Sequence, residues 1–152
     1  MTPPTPDRAT IRARLRAMRE TLAELEALRS TDADTLSAEP LTRAAAERLI
    51  QVVVDLAVDI NGHLVTSETG AAPHTGHDSF LAVAAIGAIS EDLAERLAPS
   101  AGLRNILVHR YVDIRTDLVA GAIPTVLDGL ADYVRQTADW LARAMDATRC
   151  CS

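Results

Sequence analysis

Apolar residues along this chain return every three or four positions, and no segment alternates strictly. Ile11, Leu15, Met18, Leu22, Leu25 and Leu28 mark the first such stripe, which predicts an amphipathic helix from about Asp7, a suitable N-cap, to about Arg29. Residues 30–39 read as a polar link. Pro40 then suits the first turn of a second helix. That helix reaches about Ser67 and carries Leu41, Ala45, Leu49, Val52, Val53, Leu56, Ile60 and Leu64. Its apolar surface is wider than one stripe, which makes it central and in touch with several neighbours. Breakers fill residues 68–77, so a loop is expected there. A short helix follows from His77 or Asp78, with Phe80, Leu81, Val83, Ala84 and Ile86, and Gly87 ends it in a left-handed conformation. Ser90 caps the next helix, with Glu91 and Asp92 in its first turn, where negative charge is favoured. Pro99 and Gly102 are expected to kink or split it. Asp113 to Gly121 reads as a connecting turn with a short helix. Pro124 opens a last helix to about Asp146, carrying Val126, Leu127, Leu130, Val134, Ala138 and Leu141. Helix periodicity throughout, with no internal repeat, predicts an all-α, up-down bundle of four or five helices. Residues 7–148 form one domain, between a Pro-rich N-terminus (1–6) and a short tail (149–152).

Composition refines that picture. Hydrophobic residues are 48% of the 152 and aromatics only 3%, so the core must be aliphatic. A net charge of −6 argues against binding nucleic acid by bulk attraction. All 15 basic residues are Arg, whose planar fork suits phosphate. Arg8, Arg12, Arg16 and Arg19 lie off the apolar stripe of the first helix, as a solvated face or as a surface for a phosphate backbone. Cys150 and Cys151 are adjacent, with neither metal-ligand spacing nor a disulfide framework, and fit reduced thiols. The N-terminus lacks the apolar core of a signal peptide. No apolar run approaches the ~20 residues of a membrane span. The expectation is a cytoplasmic protein with no membrane partner.

The polar chemistry gathers in Arg104-Asn105-Ile106-Leu107-Val108-His109-Arg110-Tyr111. A fixed cation, an amide, an imidazole and a phenol stand in eight residues, a set suited to a phosphodiester without a metal. An imidazole can act as general base or acid near neutrality, here on a ribose 2′-hydroxyl that attacks the adjacent phosphate. A guanidinium can hold the non-bridging oxygens, and Asn105 can orient His109 or donate to the phosphate. On a helix, Arg104 and His109 start roughly 140° apart around the axis. They meet at one atom only if Arg104 bends round, the helix ends near His109, or a second copy contributes across a two-fold axis. Capping and ion pairing account equally well for such residues on spacing alone. Asp55, Asp59 and His63 share one face of the second helix, as a metal site, as groups that steady His109, or as polar groups lining a cleft or solvent. His74-Thr-Gly-His77 with Asp78 reads as a solvated loop without further metal ligands. Trp140 packs in the core or in a dimer interface.

The run RNILVHRY resembles the R-x4-H-x-Y signature of HepT-type toxins of the HEPN superfamily (DUF86). The likeness extends over the second helix (Asp55-Leu-Ala-Val-Asp-Ile-Asn-Gly-His63), the loop Gly70-Ala-Ala-Pro73, Asp78-Ser-Phe80 and Ile89 to Leu97, about residues 40–120 in all. The resemblance implies a helical homodimer whose two motifs meet in a cleft, acting as a metal-independent ribonuclease toxin on mRNA or tRNA with no cofactor. Its partner would be a minimal nucleotidyltransferase antitoxin that attaches AMP to the motif tyrosine. Carried over, Arg104 and His109 are catalytic, Asn105 supports them and Tyr111 is modified, while Asp59, His63 and Arg110 are candidates to steady the site. Two departures stand out: Arg110, where an acidic residue is common, and the break Pro99-Ser-Ala-Gly102 just before the motif. A second reading from the same residues is a non-catalytic helical subunit of a two-component nucleotidyltransferase, binding nucleotide or substrate.

Overall fold

The computed structural model describes residues 7–109 and 115–150, except the side chains of Met145 and Thr148. These residues form six helices and no strand: α1 (Arg8–Glu26), α2 (Ala33–Ala38), α3 (Pro40–Thr69), α4 (Gly76–Ala85), α5 (Glu91–His109) and α6 (Thr116–Cys150). The fold is all-α, as the periodicity dictates. Residues 1–6, Arg110 to Ile114, Cys151 and Ser152 lie outside the described residues.

Local chemistry sets the helix starts. The Asp7 carboxylate accepts from the Thr10 N–H at 3.3 Å, and Ser90 Oγ accepts from the Leu93 N–H at 3.2 Å. Gly87, at φ 88°, supplies the left-handed residue after α4. α4 begins one residue before the earliest start its sequence suggests, because Thr75 rather than His77 or Asp78 is the cap; its hydroxyl accepts from the Asp78 N–H at 3.0 Å. The segment read as a polar link holds α2. Asp32 caps it, and its one large apolar side chain, Leu36, is fully buried. Ser37 and Thr116 share a hydrogen bond of 3.0 Å that ties α2 to the start of α6.

The prolines behave differently from their local reading. Pro99 lies inside an unbroken α5, so it does not split the helix. Pro124 does not open a helix but sits inside the 35-residue α6, which also runs past Asp146 into the expected tail as far as Cys150. An interior proline costs ~3 kcal/mol or more. Burial of one large aliphatic side chain stabilises by roughly 1.5–3 kcal/mol. Around Pro124, Val119, Ile123, Val126, Leu127 and Leu130 are all buried, enough to offset the broken ladder.

α3 is the centre of the bundle and packs on α1, α2, α4, α5 and α6. By length and mean hydropathy (1.4 over its most apolar 18-residue window) this helix would suffice to cross a bilayer, contrary to the expectation that no segment approaches that length. In the fold its apolar side chains Ile50, Val53, Val54, Ala57, Ile60 and Leu64 are instead buried against the other helices. Trp140 is half-buried and packs on the same core.

One polar chain crosses that core. The Tyr133 hydroxyl, fully buried on α6, donates to Asn61 Oδ1 at 2.6 Å, with the Ala57 carbonyl 3.3 Å away. Asn61 Nδ2 donates to Ser79 Oγ at 3.1 Å, and Ser79 Oγ donates to the Gly76 carbonyl at 2.6 Å. Phe80 meets the Tyr133 ring edge-on, with centroids 6.2 Å apart. Burial pushes the phenol well above its ordinary pKa, so it stays a donor. Removing only the hydroxyl leaves Asn61 Oδ1 unsatisfied. Tyr133→Phe should therefore lower stability by about 1–3 kcal/mol in urea unfolding. A midpoint equal to wild type would mean that the network contributes nothing.

Candidate active site

Arg104, Asn105 and His109 sit on α5, with His109 the last of its described residues. His109 and Asn105 are exposed, and Arg104 is half-buried. Tyr111 and Arg110 lie outside the described residues.

Arg104 is held by Asp55, which lies 49 positions earlier, on α3. Its Nε donates to Asp55 Oδ1, and Nη2 donates to Asp55 Oδ2 at 3.2 Å. Nη1 makes a long 3.4 Å contact with Asn105 Oδ1. A guanidinium has five N–H donors in a fixed plane. Asp55 occupies the side formed by Nε and Nη2, and Asn105 draws on one Nη1 hydrogen. One hydrogen on Nη1 and one on Nη2 remain outside these contacts, donors available to the oxygens of a phosphate. The carboxylate thus fixes the plane of the guanidinium. The pair is not sealed away: the Arg104 side chain is 30% exposed and that of Asp55 40%.

Asp55 also lines an open cleft of about 630 Å³ between α3 and the turn before α4. Asp59, Gly62, His63 and Thr66 continue the α3 wall, and His74 and Thr75 stand opposite. The polar face of α3 therefore lines a cleft, one of the three roles its spacing allows. Gly76 lets the second wall close in. A Cβ there would lie 3.1 Å from the Ala101 Cβ of α5 and 3.4 Å from Val58 of α3. Ser79, at the base of the cleft, belongs to the Tyr133–Asn61 chain, so the buried network braces the wall from behind.

Asp59 and His63 do not turn toward the motif. Asp59 forms an ion pair with Arg14 of α1, and His63 Nε2 lies 3.8 Å from Asp59 Oδ1. Among the described residues no hydrogen bond or ion pair joins either of them to His109, and no group of three His, Cys, Asp or Glu side chains is placed to hold a metal ion. His77 Nδ1 lies 3.7 Å from Asp78, in a solvent-facing pair. The sequence names Asp55 only as part of the α3 face. Its engagement with Arg104 is a tertiary fact, and the opposite charges of the two residues were the only available signal. The structural asparagine Asn61 had a signal, a polar side chain between Ile60 and Leu64 on an apolar helix.

Comparison with known proteins agrees with this frame. The chain is 37% identical over 95 residues to the tRNA nuclease HepT of Aphanizomenon flos-aquae, covering 62% of this chain and 65% of that one. It is 27% identical over 85 residues to the mRNA nuclease HepT of Shewanella oneidensis, covering 56% and 64%. The matches thus span somewhat less than two thirds of these relatives. The fold is similar to that of the tri-AMPylated HEPN toxin of Shewanella oneidensis, solved in complex with an MNT antitoxin, with a TM-score of 0.74 at 19% identity over 85% of this chain and 96% of that one. A family model described as ribonuclease HepT-like matches residues 18–137, from the middle of α1 through the motif to α6. This chain belongs to the ribonuclease HepT-like family.

Proposed function

We propose that this protein is the ribonuclease toxin of a toxin–antitoxin pair, cleaving RNA without a metal through Arg104 and His109. The observation that carries the reading is the partly exposed guanidinium of Arg104, pinned by Asp55 along its Nε/Nη2 edge, five residues before an exposed imidazole on the same helix.

In this mechanism His109 takes the proton of a ribose 2′-hydroxyl. The freed oxygen attacks the adjacent phosphorus, the bond to the 5′-oxygen breaks, and that oxygen takes up a proton. The products are a 2′,3′-cyclic phosphate and a 5′-hydroxyl end. Charge builds on the non-bridging oxygens during attack, where the N–H donors of Arg104 meet it. Asn105 holds the remaining edge of the guanidinium. The separation of the two side chains around α5 suits a homodimer, in which a second copy completes the cleft and returns the proton to the leaving oxygen. Support for RNA as substrate comes from two relatives named for nucleases, one acting on tRNA and one on mRNA. The substrate here is single-stranded or looped RNA of either kind, met in the cytoplasm.

The silencing partner is a minimal nucleotidyltransferase that transfers AMP to Tyr111, two residues beyond His109. The AMPylated toxin solved with an MNT antitoxin supports this reading. AMP on that phenol adds bulk and negative charge where an RNA phosphate must enter, so sterics and repulsion act together.

Incubation of the purified protein with RNA in excess EDTA tests the mechanism. Cleavage that persists, leaves cyclic phosphate ends and stops when the 2′-hydroxyl at the cut site is replaced by hydrogen is the expected result. Cleavage of the deoxy substrate, or activity only with added divalent ions, would remove the proposed chemistry.

A further inference from the structure

We propose that the arginine face of α1 is a second RNA contact, gripping the phosphate backbone beyond the linkage that is cut. The ribonuclease reading supplies only the identity of the polyanion; the face itself is argued from charge and geometry. Arg8, Arg12, Arg16 and Arg19 fall within an arc of ~80° on α1 and span ~16 Å along its axis. Arg12, Arg16 and Arg19 are exposed and Arg8 is half-buried. Arg14, on the opposite flank, turns to α3 and pairs with Asp59.

Elsewhere the arginines of this acidic chain are mostly matched. Arg29 meets Glu26 and Asp128, Arg43 meets Glu47, Arg96 meets Asp92 and Asp132, Arg104 meets Asp55, Arg115 meets Asp117, and Arg135 meets Asp132. Arg8, Arg16 and Arg19 have no carboxylate within 4.0 Å among the described residues. Arg48, Arg143 and Arg149 share that state but lie on other elements and form no row. Like charges three or four apart on a helix repel one another, so such a row weakens α1.

The row borders a groove of about 320 Å³, with Arg12, Arg16 and Arg19 beside an apolar floor of Leu15, Ala138 and Leu141. Exposed guanidinium forks suit phosphate, and an apolar floor suits sugars and bases. Past Arg19 the groove continues toward Arg29, where Glu26 and Asp128 are already engaged and Asp139 is the one lining carboxylate without an ion pair. The cationic stretch is therefore the N-terminal part of α1. The Arg14–Asp59 pair, on the other flank, ties the same stretch of α1 to α3 and holds the helix in place.

The test measures binding of a fluorescein-labelled 2′-O-methyl RNA oligomer, which has no free 2′-hydroxyl to attack, at several salt concentrations. The triple variant Arg8→Gln, Arg16→Gln, Arg19→Gln should bind roughly tenfold to a hundredfold more weakly. Its salt slope should fall by about 2, close to 0.7 for each lost phosphate contact. The same positions changed to Lys should keep affinity within a few-fold. Arg48→Gln, Arg96→Gln, Arg143→Gln removes three charges elsewhere and should leave the slope unchanged. Equal losses in the two Gln triples would reduce the effect to net charge and overturn the proposal. So would no binding by wild type, or a triple variant that binds RNA normally but loses an acidic protein partner. Binding is read without cleavage: a protein that grips this oligomer through α1 yet never cuts RNA would sink the nuclease reading and leave the α1 face standing.

Discussion

Replacing His109 by alanine should lower kcat for RNA cleavage by about 100- to 10,000-fold, while the melting temperature stays at the wild-type value. A positioned general base or acid contributes a factor of that size. His109 is exposed, and among the described residues no ion pair or hydrogen bond depends on it, so its removal should cost little stability. Activity and stability should therefore separate cleanly. A variant that cuts at more than about a tenth of the wild-type rate would show that the imidazole is not the proton carrier. Because residues acting as a unit are not additive, combining His109→Ala with Arg104→Ala should cost little more than the worse single change.

Arg104→Lys should cost about 100- to 1,000-fold in kcat, the loss associated with one preorganised donor at a developing charge. Lysine keeps the charge but is a point donor on a flexible stem. It cannot give one edge to Asp55 and another to phosphate in a fixed plane. Asp55→Asn should be milder, up to about 100-fold, because the guanidinium keeps its fork but loses the carboxylate that sets its angle. Neither change should cost more than ~1 kcal/mol in unfolding, since the pair is partly open to solvent and ion pairs near a surface contribute little to stability. Parallel losses of activity and stability would recast the pair as an ordinary structural brace.

The geometry also explains the placement of the motif. A single helix points Arg104 and His109 in different directions, and α3 supplies the carboxylate that holds Arg104. The wall beside them depends on Gly76, where any side chain would press on Ala101 and Val58, and on Ser79, held by the Tyr133–Asn61 chain. The candidate site and core packing meet in α3, one face of which lines the cleft while Ile50, Val53, Val54, Ala57, Ile60 and Leu64 are core.

Much of this was legible in the chain before any coordinates. Periodicity of three and four gave every long helix, because an amphipathic stripe must bury itself and reads the same in sequence and in structure. Asp7 and Ser90 declared their caps, and Gly87 its left-handed turn, because those effects act within a few residues. The motif Arg104 to His109 was visible as a concentration of chemistry in a bland background. Events that depend on distant partners were not. Leu36 makes a helix of a polar segment only because a core lies beside it. Pro124 stays inside α6 because five buried side chains outweigh one broken ladder. Local composition fixed the elements and the reagents, since capping, propensity and hydrophobic period are short-range forces. Tertiary structure alone chose which carboxylate holds Arg104, sent Asp59 to Arg14, and left Arg8, Arg16 and Arg19 with no carboxylate partner among the described residues, because charges 49 positions apart meet only after the helices have packed.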